Sequence, residues 1–455
     1  AGGDDADGGS SAANATCSPK AKPGDLQCAD TVVQICSSDG QWQDQETCAD
    51  DTPRCSGGKC LCKPDAKRCH GGTAQACTAD GTWQVVSKCS GDTPACLDGN
   101  CVACIPGAGQ CDGDIPLTCT QTGDWKAQPE CPAGCTEGLC RVPPSCQDEL
   151  QCLDNDKQVS CCTSKVIPGG EFPMGRSTET CDGCSEGCPP DMICPDWEQP
   201  EHPMQVSDFR LDKYEVTVGR FREYVEAYDW NQLVAMLEAG GGTHPGVEGS
   251  GWDPEWNTQL PYAQEDLIIQ LTSSKSCTWT SEVGRNEQLP ITCVPWYEAF
   301  AFCAWDQGRL PTETEWEYAA TGGSENRLFP WGAELATASH ANYGEGDRAI
   351  TAVGSLPRGN GRWGHSDLGG NMAEWVLDYI VPVNYEDWPP GCLDCANVSG
   401  LTMHGDRVLR GGHWLESTMT TDTEPSMFQL RATARYWGAP RDRSTIGGIR
   451  CARTP

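Results

Sequence analysis

The spacing of the cysteines constrains this chain more than any other feature. Cys62, Cys69, Cys77, Cys89, Cys96 and Cys101 leave gaps of 6, 7, 11, 6 and 4 residues. Cys104, Cys111, Cys119, Cys131, Cys135 and Cys140 repeat 6, 7 and 11, then close with 3 and 4. An earlier set, Cys17, Cys28, Cys36, Cys48, Cys55 and Cys60, differs mainly in its first gap. Between the third and fourth cysteine each unit carries a glycine turn and a tryptophan: SDGQW (Trp42), ADGTW (Trp83) and QTGDW (Trp125). Such turns predict hairpins, because glycine takes positive φ without steric cost. Three units of about forty residues are an internal repeat. Each is too small for an apolar core, so disulfides of ~2–4 kcal/mol apiece have to stabilise it. Zinc is the competing use of the thiols. The repeats hold few CxxC pairs and a single histidine, His70, so bridges are expected. The spacing alone does not choose their pairing.

The 32 cysteines, an even number, point to an oxidising compartment, and an extracellular or cell-surface location is expected. Lys plus Arg number 32 against 65 Asp plus Glu, a net charge of −33. That surface repels phosphate backbones and anionic headgroups, which excludes nucleic acid as a partner class. No run approaches the ~18 apolar residues of a membrane span. Residues 1–16, rich in Gly, Ser, Ala and Asp, read as a flexible tether. A tether of this kind commonly follows a lipidated cysteine, so an N-terminal lipid anchor is an open expectation, although residue 1 is alanine. The organisation expected is this tether, repeats over 17–61, 62–103 and 104–145, a cysteine-rich linker over 146–166, and a C-terminal domain over 167–455. Cys181, Cys184, Cys188 and Cys194 sit in CDGCSEGCPPDMIC, read as a local stapled loop.

From Ile167 onward the pattern becomes short strands with a few helices. TVGRFREYVEAY begins at a capping Thr217 and places Val218, Phe221, Tyr224 and Val225 on one face. PWYEAFAFCAWD does likewise with Trp296, Phe300, Cys303 and Ala304. GRLPTETEWEYAA turns at Pro311, caps with Thr312 and supplies Glu315 three residues on, the pattern of a capping box. Trp316 and Tyr318 are expected in the core. The loops GWDPEWN and YEDWPP are read as an aromatic platform for a sugar or peptide, or else as packed tryptophans.

These segments, with IPGGEFPMG, FPWG, DLGGNMAEWVLD, RVLRGGHW and GGIRCAR, resemble the formylglycine-generating enzyme (sulfatase-modifying factor) family. The resemblance implies an α+β, C-type-lectin-like fold with much irregular chain, preceded here by small disulfide-rich β repeats. In that family a serine follows RGG and a cysteine pair beyond it binds copper. Here those positions are His413, Glu416 and Thr421, and no cysteine stands between Cys395 and Cys451. A carboxylate and a hydroxyl are hard donors that do not hold Cu(I) as thiolates do. Oxidation of a sulfatase cysteine is therefore not expected.

The resemblance further implies a disulfide between Cys303 and Cys451. A second family bridge would fall on Ala320 and Ala432, both lacking the thiol. Cys277 with Cys293 and Cys392 with Cys395 are the local pairs expected. By the same resemblance a structural calcium is held by Asp367, the carbonyls of Gly370 and Met372, and Glu374, a donor set suited to a hard cation. A second would use Asn342, the Tyr343 carbonyl and an acid of GEGD, Asp347 or Glu345. His413 and Glu416, joined by His404 or His365, are the candidates for an iron site; the alternative is that His413 is packed at a strand end. The function expected is a non-catalytic protein in which a stapled arm carries a calcium-stabilised head. The head would bind a protein or glycan, or assemble with copies of itself. A metal-dependent oxidoreductase of the same superfamily is the alternative.

Overall fold

The computed structural model describes residues 15–147, 150–154, 157–177, 196–344, 349–380, 384–386, 388–398, 405–415 and 429–455. The four cysteines of CDGCSEGCPPDMIC lie outside them. The chain divides into two compact units, residues 1–130 with 135–139, and residues 131–134 with 140–455.

In the first unit each repeat opens with a three-stranded antiparallel sheet, as in Leu26–Ala29, Val32–Cys36 and Trp42–Thr47. The glycine turns join its second and third strands, and Cys36, Cys77 and Cys119 stand opposite Trp42, Trp83 and Trp125. The pairing left open by the spacing is the same in all three repeats: first cysteine to third, second to fifth, fourth to sixth. The bridges are Cys17–Cys36, Cys28–Cys55 and Cys48–Cys60; Cys62–Cys77, Cys69–Cys96 and Cys89–Cys101; Cys104–Cys119, Cys111–Cys135 and Cys131–Cys140. The turn glycines also connect repeats. Gly81 and Gly123 hold φ near +80° (+83° and +82°), and a Cβ there would stand 2.7 Å from Leu61 Cβ and 2.5 Å from Val102 Cβ. Only glycine lets each turn rest on the end of the preceding repeat.

In the second unit the described residues form five α-helices that pack with short sheets: α1 Val218–Glu226, α2 Trp230–Glu238, α3 Gln264–Leu271, α4 Trp296–Trp305 and α5 Glu313–Thr321. Thr217 caps α1 by accepting from Arg220 N. Both halves of the α5 capping box form, with Gly322 ending the helix in the left-handed region. α4 is buried from Trp296 through Ala304, so it is a central helix rather than an amphipathic one. Its Phe302 stacks on Phe221 of α1 at 5.3 Å. A four-stranded sheet runs in the order Arg435–Gly438, Arg407–Arg410, Ala373–Tyr379, Gly447–Gly448. Cys303 of α4 is bonded to Cys451; Cys277 pairs with Cys293 and Cys392 with Cys395. Among the described residues no cysteine is free, a state that belongs to an oxidising compartment. No described helix is long and apolar enough to cross a membrane.

Residues 140–166 are part of this unit. Cys146–Cys162 and Cys152–Cys161 staple the segment, and Ser145 is buried against the helices. Its amide donates to Asp306 Oδ1 at 2.9 Å, and its hydroxyl accepts from Arg220 Nε at 3.0 Å. Lys213 pairs with Asp154 at 2.5 Å.

Of the two readings of the tryptophan loops, packing is the one that holds. Trp252 and Trp388 are 7% and 8% exposed, and Trp256 is half-buried against Trp296. The described rings of GWDPEWN and YEDWPP pack into the core or against it. Burying rings of this size outweighs their exposure in an irregular loop.

Candidate functional site

Two loops distant in sequence are joined in space. Gly370 N donates to Gly411 O at 2.6 Å, and Trp414 N donates to Asn371 O at 3.0 Å. The segment 367–374 therefore lies along the segment 410–414. Both loops need unusual backbone. Asp367 and Asn371 hold φ of 60° and 59°, and Gly411 and Gly412 hold 102° and 69°. A Cβ at Gly412 would meet Leu430 Cδ2 at 2.8 Å and Gln429 O at 3.0 Å.

Beneath this junction lie three buried carboxyl groups and the buried Arg450 guanidinium. Glu374 is fully buried and accepts from Arg450 (Nη2 to Oε1, 2.6 Å; Nε to Oε2, 2.9 Å) and from Trp316 Nε1 at 2.7 Å. Arg450 also donates to the carbonyls of Asp212, Lys213 and Ser366. Asp367 accepts from Gly354 N at 2.6 Å. Glu215, which the sequence reading did not single out, accepts from Asn371 Nδ2 at 2.7 Å and Met372 N at 3.0 Å. The available signal was an acid directly between Tyr214 and Val216, since a buried charge needs partners. Burial, with the added charges of Asp367 and Glu374, pushes the Glu215 carboxyl well above its usual range. Burial likewise raises Asp367 to about 6, against the Gly354 amide, which lowers it.

Three carboxyl groups thus lie around one guanidinium, and burial shifts two of them, Glu215 and Asp367, toward the uncharged acid form. The two carboxylates and two carbonyls inferred for calcium lie on one loop, 367–374, a donor type suited to a hard cation. Glu374 shares its oxygens with Arg450, so a cation there would share that carboxylate. Among the described residues no three His, Cys, Asp or Glu side chains cluster as metal ligands, but this set requires only two. For the second set, Asn342 Nδ2 donates to Ala349 O at 3.0 Å and Asn371 Oδ1 at 3.1 Å. The Tyr343 hydroxyl donates to Ala336 O. Asp347 and Glu345 lie outside the described residues.

His413 is 2% exposed. Its Nδ1 accepts from Leu415 N at 3.2 Å, which places the proton on Nε2. Burial lowers its pKa to about 4, so the ring is neutral at pH 7. His365 is also buried, with Nε2 3.3 Å from Leu211 O. Burial and then the Arg450 charge hold it near 3. Glu416, Thr421 and His404 lie outside the described residues. The site as described offers a packed neutral imidazole, with no free thiol among the described residues.

A family model for the sulfatase-modifying factor enzyme 1-like domain matches residues 151–455. The chain is 29% identical to a formylglycine-generating enzyme of Streptomyces coelicolor, over 63% of this chain and 87% of that protein. It is 29% identical to the inactive C-alpha-formylglycine-generating enzyme 2 of Mus musculus, over 63% of this chain and 84% of the relative. It is 28% identical to a hercynine oxygenase of Mycolicibacterium smegmatis, over 64% of this chain and 61% of that relative.

Proposed function

This chain belongs to the sulfatase-modifying factor enzyme 1-like family, and from that premise we propose that it is a non-catalytic, exported member whose disulfide-stapled arm carries a binding head. The carrying observation is the residue after RGG. His413 is buried, neutral and bonded through Nδ1, and supplies neither a serine hydroxyl nor a soft ligand. Glu416 and Thr421 stand where the family's copper thiolates belong. Similarity to a relative named as inactive supports the reading.

Calcium in the 367–374 loop is part of this proposal. Asp367, the carbonyls of Gly370 and Met372, and Glu374 would hold it, and its chemistry would be charge neutralisation beneath the junction of the two loops. The head's ligand is a protein, a glycan or a second copy of the chain.

The test is oxidation of a sulfatase-type cysteine peptide with copper(I), oxygen and a thiol reductant, read by mass spectrometry. No aldehyde above the enzyme-free blank is expected, and turnover at a rate near that of the Streptomyces coelicolor relative would sink the proposal. The likeness to hercynine oxygenase favours a second reading, an iron-dependent oxygenase using His413. The imidazole lone pair of this tautomer is on Nδ1, however, where it accepts from the Leu415 amide rather than facing a metal.

A further inference from the structure

Cys392, Leu393, Asp394 and Cys395 form a Cys-x-x-Cys turn, and its bridge spans 3 residues. The next shortest described bridges, Cys131–Cys140 and Cys152–Cys161, span 9. A disulfide stabilises chiefly by restricting the unfolded chain, and the gain shrinks with the loop it closes. As a staple this bridge adds little.

The backbone around it is held by other means. Cys392 and Leu393 pair in parallel with Met204 and Gln205. Gly391 N donates to Pro203 O at 2.6 Å, and Asp394 N to Gln205 O at 2.9 Å. The Asp394 carboxylate accepts from Ser207 N at 2.7 Å and Ser207 Oγ at 2.6 Å. Cys395 O accepts from Thr314 Oγ1 at 2.8 Å, and Asn397 N donates to Asp378 Oδ1 at 2.6 Å. Asp394 is kept at a φ of 54°, a left-handed conformation that costs a non-glycine residue energy. Hydrogen bonds outside the bridge thus hold a turn in which the two cysteines stay 5.8 Å apart at Cα, bonded or not. Both cysteines are half-buried, and Leu393 between them is 54% exposed. Cys303 and Cys451, by contrast, are fully buried. Exchange needs this kind of access. An incoming thiolate is repelled by Asp394 and by the chain's charge of −33, whereas a thiol that carries its own positive charge is attracted.

We propose that Cys392 and Cys395 are an exchangeable redox pair that takes electrons from positively charged thiols, such as a cysteine in a basic peptide. The thiolate attacks one sulfur, the bond between Cys392 and Cys395 breaks, and the other cysteine leaves as a thiolate and takes a proton. A second thiol then attacks the mixed disulfide. Two external thiols are oxidised to one disulfide, and the pair is reduced to a dithiol. It shares no residue with the candidate calcium or iron sets, so the proposal stands apart from the reading of those sites.

The test treats the full chain, under argon, with millimolar cysteamine or 3-mercaptopropionate. Freed thiols are trapped with N-ethylmaleimide and mapped by mass spectrometry. Cys69–Cys96 is the reference bridge, because Cys69 is exposed and Cys96 half-buried but the bridge spans 27 residues. Cysteamine is expected to open Cys392–Cys395 about ten-fold faster than this reference. Compared per thiolate, cysteamine should outpace 3-mercaptopropionate several-fold at low salt, and the two should converge in about 1 M salt. Cys392→Ser combined with Cys395→Ser should leave the melting temperature within about 3 °C of the parent. Opening no faster than Cys69–Cys96 would overturn the proposal. So would equal rates for the two thiols at low salt, or a larger fall in melting temperature, which marks a structural staple.

Discussion

Arg220 joins the stapled segment 140–166 to the helical core, and its removal should be among the most damaging single changes in the second unit. Nη1 pairs with Asp212 Oδ2 at 2.8 Å and Nη2 with Asp306 Oδ2 at 2.6 Å, with all three side chains fully buried. Nε donates to Ser145 Oγ. Arg453 bridges the same two aspartates from the other side. Two carboxylates and two guanidiniums therefore balance. Arg220→Met leaves two buried carboxylates for one cation, and breaking a buried pair in this way costs ~3–5 kcal/mol. The loss is electrostatic rather than steric, so a second change should restore part of it. Asp212→Asn in the Arg220→Met background keeps an amide oxygen for Arg453 and rebalances the charge. It should regain ~1–3 kcal/mol, although Asp212→Asn alone destabilises the native chain. Equilibrium unfolding in urea with the disulfides intact measures all four chains. Additive losses, or a cost for Arg220→Met below ~1 kcal/mol, would refute the charge-balance reasoning.

Other outcomes follow from the same structure. Burial, and then the neighbouring Glu313 charge, raise the Asp378 carboxyl to about 7. Because this folded value lies above the unfolded one near 3.8, the folded state holds the proton more tightly. Stability present at low pH is then lost as pH rises, by about 2–3 kcal/mol between pH 5 and pH 8. Asp378→Asn should flatten that slope in urea titrations, and an unchanged slope would show that the group does not titrate as stated. Replacing Cys28 and Cys55 by alanine opens a link spanning 27 residues and should lower the stability of the first repeat by about 3–4 kcal/mol. Proteolysis near Cys55 reports that loss, and native-like resistance would contradict it. Calcium at about a hundred times its Kd should stabilise the second unit by about 2.7 kcal/mol. Asp367→Asn should abolish the effect, and identical melting in calcium and chelator would remove calcium from the account.

What was legible from the sequence was whatever depends on neighbours along the chain. The cysteine ruler and the turn glycines marked the three repeats, and Thr217, Thr312 and Glu315 marked two helix starts with their caps. Pairing of the cysteines was not legible, because it depends on which strand ends meet, as where Cys55 and Cys60 face each other across Arg54–Ser56 and Lys59–Leu61. α2 and α3 were missed. Their apolar positions, such as Leu233, Val234 and Leu237, span barely two turns, and Asp229 as a cap was the available signal. The acids of RLPTETEWEYAA look solvent-facing by composition. In the fold Glu313 and Glu317 are buried against Arg410 and Arg435, partners about a hundred residues away. Glu215 stayed hidden for the same reason. Its partners, Asn371 and Met372, are 156 and 157 residues distant.

The central claim is that this family member has exchanged soft-metal redox chemistry for binding. Elemental mass spectrometry of the protein purified from its native source, without chelator or added salts, tests it most directly. Calcium at about one or two per chain, with copper and iron far below stoichiometry, is the result this account predicts. One copper or one iron per chain, lost on Glu416→Ala or His413→Ala, would contradict it.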